Sequence, residues 1–78
     1  IMLHYTLVRE CWNEKTYNGF TDNPYWKIEF DGYQIGLKDD GHYWSLINDV
    51  DVNQSHIKEK LISICVECKI GIKGMKHS

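Results

Sequence analysis

Cys65-Val-Glu-Cys68 and Asp39-Asp40-Gly41-His42 are the two clusters whose residue types could do chemistry. A C-x-x-C pair works in redox exchange when it opens a helix, where the dipole lowers the first thiol's pKa. Here the pair falls in the last turns of a helical pattern and on its apolar stripe, so both thiols read as small core hydrophobes. A structural zinc site would need two further ligands at a fixed spacing. The other candidates, among them Cys11, His4, His42 and His56, are scattered along the chain and keep no such spacing. No metal and no cofactor are expected. Asp39, Asp40 and His42 fit no general acid/base pair, and a tight turn accounts for the acids and Gly41. Gly71-Ile-Lys-Gly74 follows the last helix and leads into none, so it is no phosphate-cradling loop. The expectation is a protein without catalytic activity.

The elements that position these residues centre on 25–47. Asp31-Gly32 and Asp40-Gly41, each flanked by alternating apolar residues, are strong hairpin signals. Two-residue loops at both would pair Phe30 with Tyr33, Ile28 with Ile35 and Trp26 with Leu37, then Leu37 with Trp44 and Ile35 with Leu46. All of these would share one buried face. The other face would carry Tyr25, Lys27, Glu29, Gln34, Gly36, Lys38, Tyr43, Ser45 and Ile47.

From Ser55 to about Lys69 the pattern is helical, with Asn53 or Ser55 as N-cap and Gly71 as the C-terminal signal. Ile57, Leu61, Ile64, Cys65 and Cys68 form a stripe that matches the apolar face of the sheet. Ile62, Val66 and Ile70 lie on roughly the opposite side of that helix. Residues 3–12 alternate as a strand and have strand composition, yet Leu3, Leu7, Val8, Cys11 and Trp12 also fit a helical stripe. With no N-cap before them, strand is the preferred reading. Residues 13–24 read as a loop with Tyr17 and Phe20 packing back onto the body. The alternative is a hairpin turn at Asn18-Gly19. The fold class expected is α+β: a twisted antiparallel meander of three to four strands with a C-terminal helix packed on one face.

The chain has 78 residues, 42% hydrophobic and 13% aromatic, enough for one small domain over 1–78 ending in a basic tail at about 72–78. Met2 reads as the natural start of a free-standing protein. No apolar run approaches a membrane span and three cysteines suit a reducing compartment, so the expectation is a cytoplasmic protein with no membrane partner.

Charge is divided. Asp22, Glu29, Asp31, Asp39, Asp40, Asp49 and Asp51 dominate the middle, while Lys58, Lys60, Lys69, Lys73 and Lys76 populate the C-terminal third. Acids near the sheet disfavour phosphates there. The leading expectation is therefore a small interaction or regulatory protein that binds protein partners and self-associates as a homodimer. Its partner-binding surface would be Tyr25, Lys38 and Tyr43 in a row beside Gly36 and Ser45. Its dimer contact would be Ile62, Val66 and Ile70, or an edge strand. Nucleic-acid binding through the tyrosines and C-terminal lysines is the first alternative, and a small-ligand domain the second.

Overall fold

A computed structural model describes residues 3–47 and 49–70. Four strands, β1 (Thr6–Thr16), β2 (Gly19–Phe30), β3 (Tyr33–Lys38) and β4 (Tyr43–Ser45), precede one helix, α1 (Ser55–Cys68). The strands form a single antiparallel meander in the order β1-β2-β3-β4. The helix covers one face, giving the α+β architecture read from the sequence.

The β2–β3 hairpin has the expected register, with Phe30 opposite Tyr33, Ile28 opposite Ile35 and Trp26 opposite Leu37. Asp31 (φ 51°) and Gly32 (φ 84°) both take positive φ, the requirement of a two-residue type I′ loop. The next turn departs from expectation. Gly41 donates its N–H to the Lys38 carbonyl (2.9 Å), and Lys38 N–H reaches the His42 carbonyl (2.8 Å). Only Gly41 (φ 93°) has positive φ there, so the loop is Asp39-Asp40-Gly41, a type I turn closed by a glycine bulge. The extra residue shifts β4 by one place. Leu37 faces Tyr43, Gly36 faces Trp44 and Ile35 faces Ser45. Trp44 thereby leaves the helix side, and Tyr43 and Ser45 enter it.

Residues 13–24 are not a loop. β1 and β2 pair from Thr6↔Glu29 to Thr16↔Gly19, turning at Tyr17-Asn18 with Gly19 at φ 120°. Beyond Tyr25 this ladder has no third strand, so 13–22 form a projecting two-stranded arm. Pro24 lies where β3 has ended, and its missing N–H interrupts no bond to that strand. Tyr17 is fully exposed and Phe20 is 70% exposed at the tip, so neither packs back onto the body.

The core is Ile28, Phe30, Ile35 and Leu37 from the sheet against Ile57, Leu61, Ile64 and Cys65 from α1. Trp26, Tyr43 and Cys68 pack at its edge. The helix starts after Gln54, whose side chain makes no capping bond, and not after Asn53 or Ser55 as cap. It ends in a left-handed Lys69 (φ 61°), where Lys69 N–H reaches the Val66 carbonyl and Ile70 N–H the Cys65 carbonyl. This Schellman closure comes two residues before Gly71, which lies outside the described residues, as does the basic tail. The closure folds Ile70 back toward the core, and Ile62 is partly buried there too. Of the expected second stripe, only Val66 is largely exposed, at 60%.

Candidate functional site

On the sheet face away from α1, alternation along β1, β2 and β3 sets Val8, Glu10, Trp12, Tyr25, Lys27, Glu29, Gln34, Gly36 and Lys38 together. The one-place shift adds Trp44. Trp12, Tyr25 and Trp44 close a triangle of rings, with centroids 5.5 Å apart for Trp12–Tyr25, 5.6 Å for Trp12–Trp44 and 5.5 Å for Tyr25–Trp44. Tilted and edge-to-face angles of 50°, 83° and 49° match the arrangements favoured by the ring quadrupole.

Each ring is held by a different partner. Trp44 lies across Gly36, and a Cβ at residue 36 would come within 2.6 Å of its ring. The glycine therefore does not leave a shallow spot for another backbone to enter; the indole already covers it. His42 stacks on Trp44 at 6.0 Å and 20°. Lys38 Nζ stands 5.5 Å from the Trp12 ring centre, a cation–π contact. Tyr25 is 9% exposed and donates its hydroxyl to Glu10 Oε2 at 2.8 Å. That bond to a carboxylate, then desolvation, raises the phenol's pKa. Glu10 also meets Lys27 Nζ at 4.0 Å. Together with Leu46, Trp12, Tyr25, Lys38, His42 and Trp44 line a groove of about 370 Å³.

Of the residues expected to form the working surface, Tyr25, Lys38 and Gly36 do share this face. Tyr43 and Ser45 do not. Tyr43 packs against the core and donates its hydroxyl to Asn53 Oδ1 (3.0 Å), and Ser45 Oγ donates to the Ile47 carbonyl (2.6 Å). The bulge at Gly41 is the physical reason, since it exchanges Tyr43 for Trp44 across the sheet. Trp12, His42, Trp44 and Leu46 are the residues that the sequence reading did not assign to this surface. A glycine in mid-strand was the available signal, because such a residue gains from an aromatic laid over it.

The remaining clusters are tied into the fold by contacts of their own. Cys65 is fully buried, and burial, with a smaller effect from Cys68, pushes its thiol up to about 11. Cys68 Sγ and Tyr5 Oη share a hydrogen bond at 3.0 Å, and this contact, then desolvation, takes the Tyr5 phenol up to about 12. All three cysteines are free thiols. Asp39 accepts two bonds from Arg9, at 2.9 and 2.7 Å, while the guanidinium lies 4.8 Å from the Trp26 ring centre. Asp40 Oδ1 accepts the His42 N–H at 2.9 Å, as a turn carboxylate does. Among the described residues no group of three or more His, Cys, Asp or Glu could hold a metal ion, and no helix is long and apolar enough to cross a membrane.

Compared with known proteins, the chain matches no family model, and no curated protein or solved structure is significantly similar to it.

Proposed function

We propose that the protein is a small non-enzymatic interaction module that binds a protein partner through the helix-free face of its sheet. The observation that carries this reading is the Trp12–Tyr25–Trp44 triangle, with Lys38 and His42 at its rim. Tryptophan and tyrosine in a half-open pocket are the anchors from which protein interfaces draw most of their affinity. Because Gly36, Glu10 and the neighbouring rings already fix these side chains, little rotamer entropy is left to lose on binding.

The charge of the face favours a polypeptide over a nucleic acid. Glu10 and Glu29 stand among Lys27 and Lys38. On the other side of the sheet, Lys60 of the helix is engaged by Asp31 at 2.6 Å. A phosphate chain on the aromatic face would meet as many carboxylates as ammonium groups. A partner with an apolar anchor and an acidic neighbour, placed for Lys38, fits better. The reading is of a protein acting inside the cytoplasm, with no cofactor required.

Selection of displayed random peptides on the full chain tests this. The expected result is micromolar binders that lose about tenfold or more in affinity to Trp44→Ala or Lys38→Ala and are indifferent to Val66→Lys on the helix. Binders unaffected by both aromatic-face changes would overturn the reading. So would salt-sensitive retention on single-stranded DNA together with no peptide binding.

A further inference from the structure

The long edge of the sheet carries an independent inference. β1 has eleven residues and, among the described residues, a strand neighbour on one side only. Thr16 and Gly19 flank a two-residue turn and exchange bonds, so even-numbered residues of β1 point their backbone groups toward β2. Leu7, Arg9, Cys11, Asn13 and Lys15 therefore aim their N–H and C=O groups outward, along a free edge. Such an edge is a template for another strand unless it is short, bulged or guarded. β1 is long and, over its whole length, paired with β2 without interruption.

We infer that this edge pairs with the same edge of a second copy, antiparallel about a two-fold axis at Cys11, to make a continuous eight-stranded sheet. The register follows from charge. An axis at Cys11 sets Thr6 opposite Thr16 of the second copy, Leu7 opposite Lys15, Val8 opposite Glu14, Arg9 opposite Asn13 and Glu10 opposite Trp12. No like charges meet, and all of β1 is used. An axis at Glu10 or Arg9 puts two identical charges face to face. An axis at Trp12 sets Glu10 against Glu14 and Arg9 against Lys15. Like charges directly opposite one another destabilise a strand pair. Axes farther out shorten the ladder.

The arm gives the second argument. Two strands alone are marginal in water, yet residues 13–22 project as such a pair. With the axis at Cys11, the arm half of each β1 lies along the body half of the other, where β2 and β3 already back it. Each arm becomes part of a sheet of more than three strands. The turn residue Tyr17, fully exposed in one chain, is carried toward Tyr5 of the second copy. The outward groups would supply about ten hydrogen bonds between chains. Both aromatic faces stay open, on the same side of the joined sheet.

Sedimentation equilibrium of the full chain, with three variants, tests the pairing. The wild type is expected to dimerise at micromolar concentrations. Cys11→Lys places two ammonium groups at the axis and should weaken the dimer about tenfold or more while leaving the circular dichroism spectrum unchanged. Val8→Glu, opposite Glu14 of the second copy, should weaken it; Val8→Lys should tighten it. A wild type that stays monomeric to about 100 µM overturns the inference. So does a dimer indifferent to Cys11→Lys, or equal effects of Val8→Glu and Val8→Lys. Should Cys11→Lys fail to fold, dibromobimane on the wild type decides without a variant. Bridging of Cys11 to its counterpart supports the axis, and failure to bridge overturns it. A monomer would leave the aromatic-face proposal standing, because that face lies within one chain.

Discussion

The sheet shows two unlike faces. Beneath α1 the side chains are aliphatic and closed: Ile28, Ile35 and Leu37 meet Ile57, Leu61 and Ile64, all with at most 1% exposure. On the other side, Trp12, Tyr25 and Trp44 carry polar tips or polar neighbours, and the two tryptophans stay partly exposed. Aliphatic groups contribute chiefly by leaving water and filling space, so they gain most from a cover. An aromatic cluster can be ordered without a cover, because each ring has its own partner in Lys38, Glu10 or Gly36. One face therefore supplies most of the stability, and the other holds an ordered aromatic surface without a covering layer.

Truncation at the centre of each face should break this comparison if it is wrong. Leu61→Ala opens a cavity in the buried cluster and is expected to cost about 2–5 kcal/mol, measured by urea unfolding. That is a large part of the stability of so small a domain. On the open face, Gly36→Ala forces the Trp44 ring off the sheet, at an expected cost of about 1–3 kcal/mol. In a Trp44→Ala background the same change should be neutral or stabilising, since nothing then crowds the added methyl. A cost of equal size in both backgrounds would mean that the strand, not the indole, rejects the side chain.

Those two positions also mark what could be read from the sequence. The core stripe of α1 and the Ile28–Ile35 pairing were legible because Asp31-Gly32 admits one loop geometry and every neighbouring apolar residue agrees with it. Asp39-Asp40-Gly41 admits two, since Gly41 can close a two-residue or a three-residue loop. The alternation in Tyr43-Trp44-Ser45-Leu46 does not decide, as either parity places an aromatic on the core face. The structure resolves the tie through Gly36, which accepts the Trp44 ring where any larger residue would collide. The arm was hidden for another reason. Apart from Tyr17 and Phe20 near the tip, residues 13–22 are polar on both faces, so the alternation that betrays a half-buried strand is missing. Lys69 as a left-handed cap had no sequence signal beside Gly71, because lysine rarely takes that conformation.

Thiol chemistry sharpens the contrast between closed and open positions with a smaller, kinetic effect. Cys65 combines full burial with a thiol pushed up to about 11, so thiolate is scarce at pH 8. Its modification by a disulfide reagent should follow the fraction of unfolded protein across a urea titration. Prompt labelling of Cys65 under native conditions would show that the covered face opens locally.

The smallest expected effect concerns the tie between the edge strand and the shifted turn. Arg9 on β1 reaches over Trp26 to the Asp39 carboxylate, and that pair holds the carboxyl below its ordinary pKa. A carboxylate depressed on folding contributes stability above its unfolded pKa, about 3.9, and loses it as the pH falls through the lower folded value. Asp39→Asn, which keeps an acceptor but removes the charge, should lower the melting temperature slightly at pH 7. The difference should narrow below about pH 4 and close in stronger acid, where Asp39 is itself neutral. Because both partners are solvent-exposed, added salt should narrow the gap at pH 7 as well. A gap that persists unchanged in acid would mean that Asp39 acts through the shape of the turn, with its charge on Arg9 playing no part.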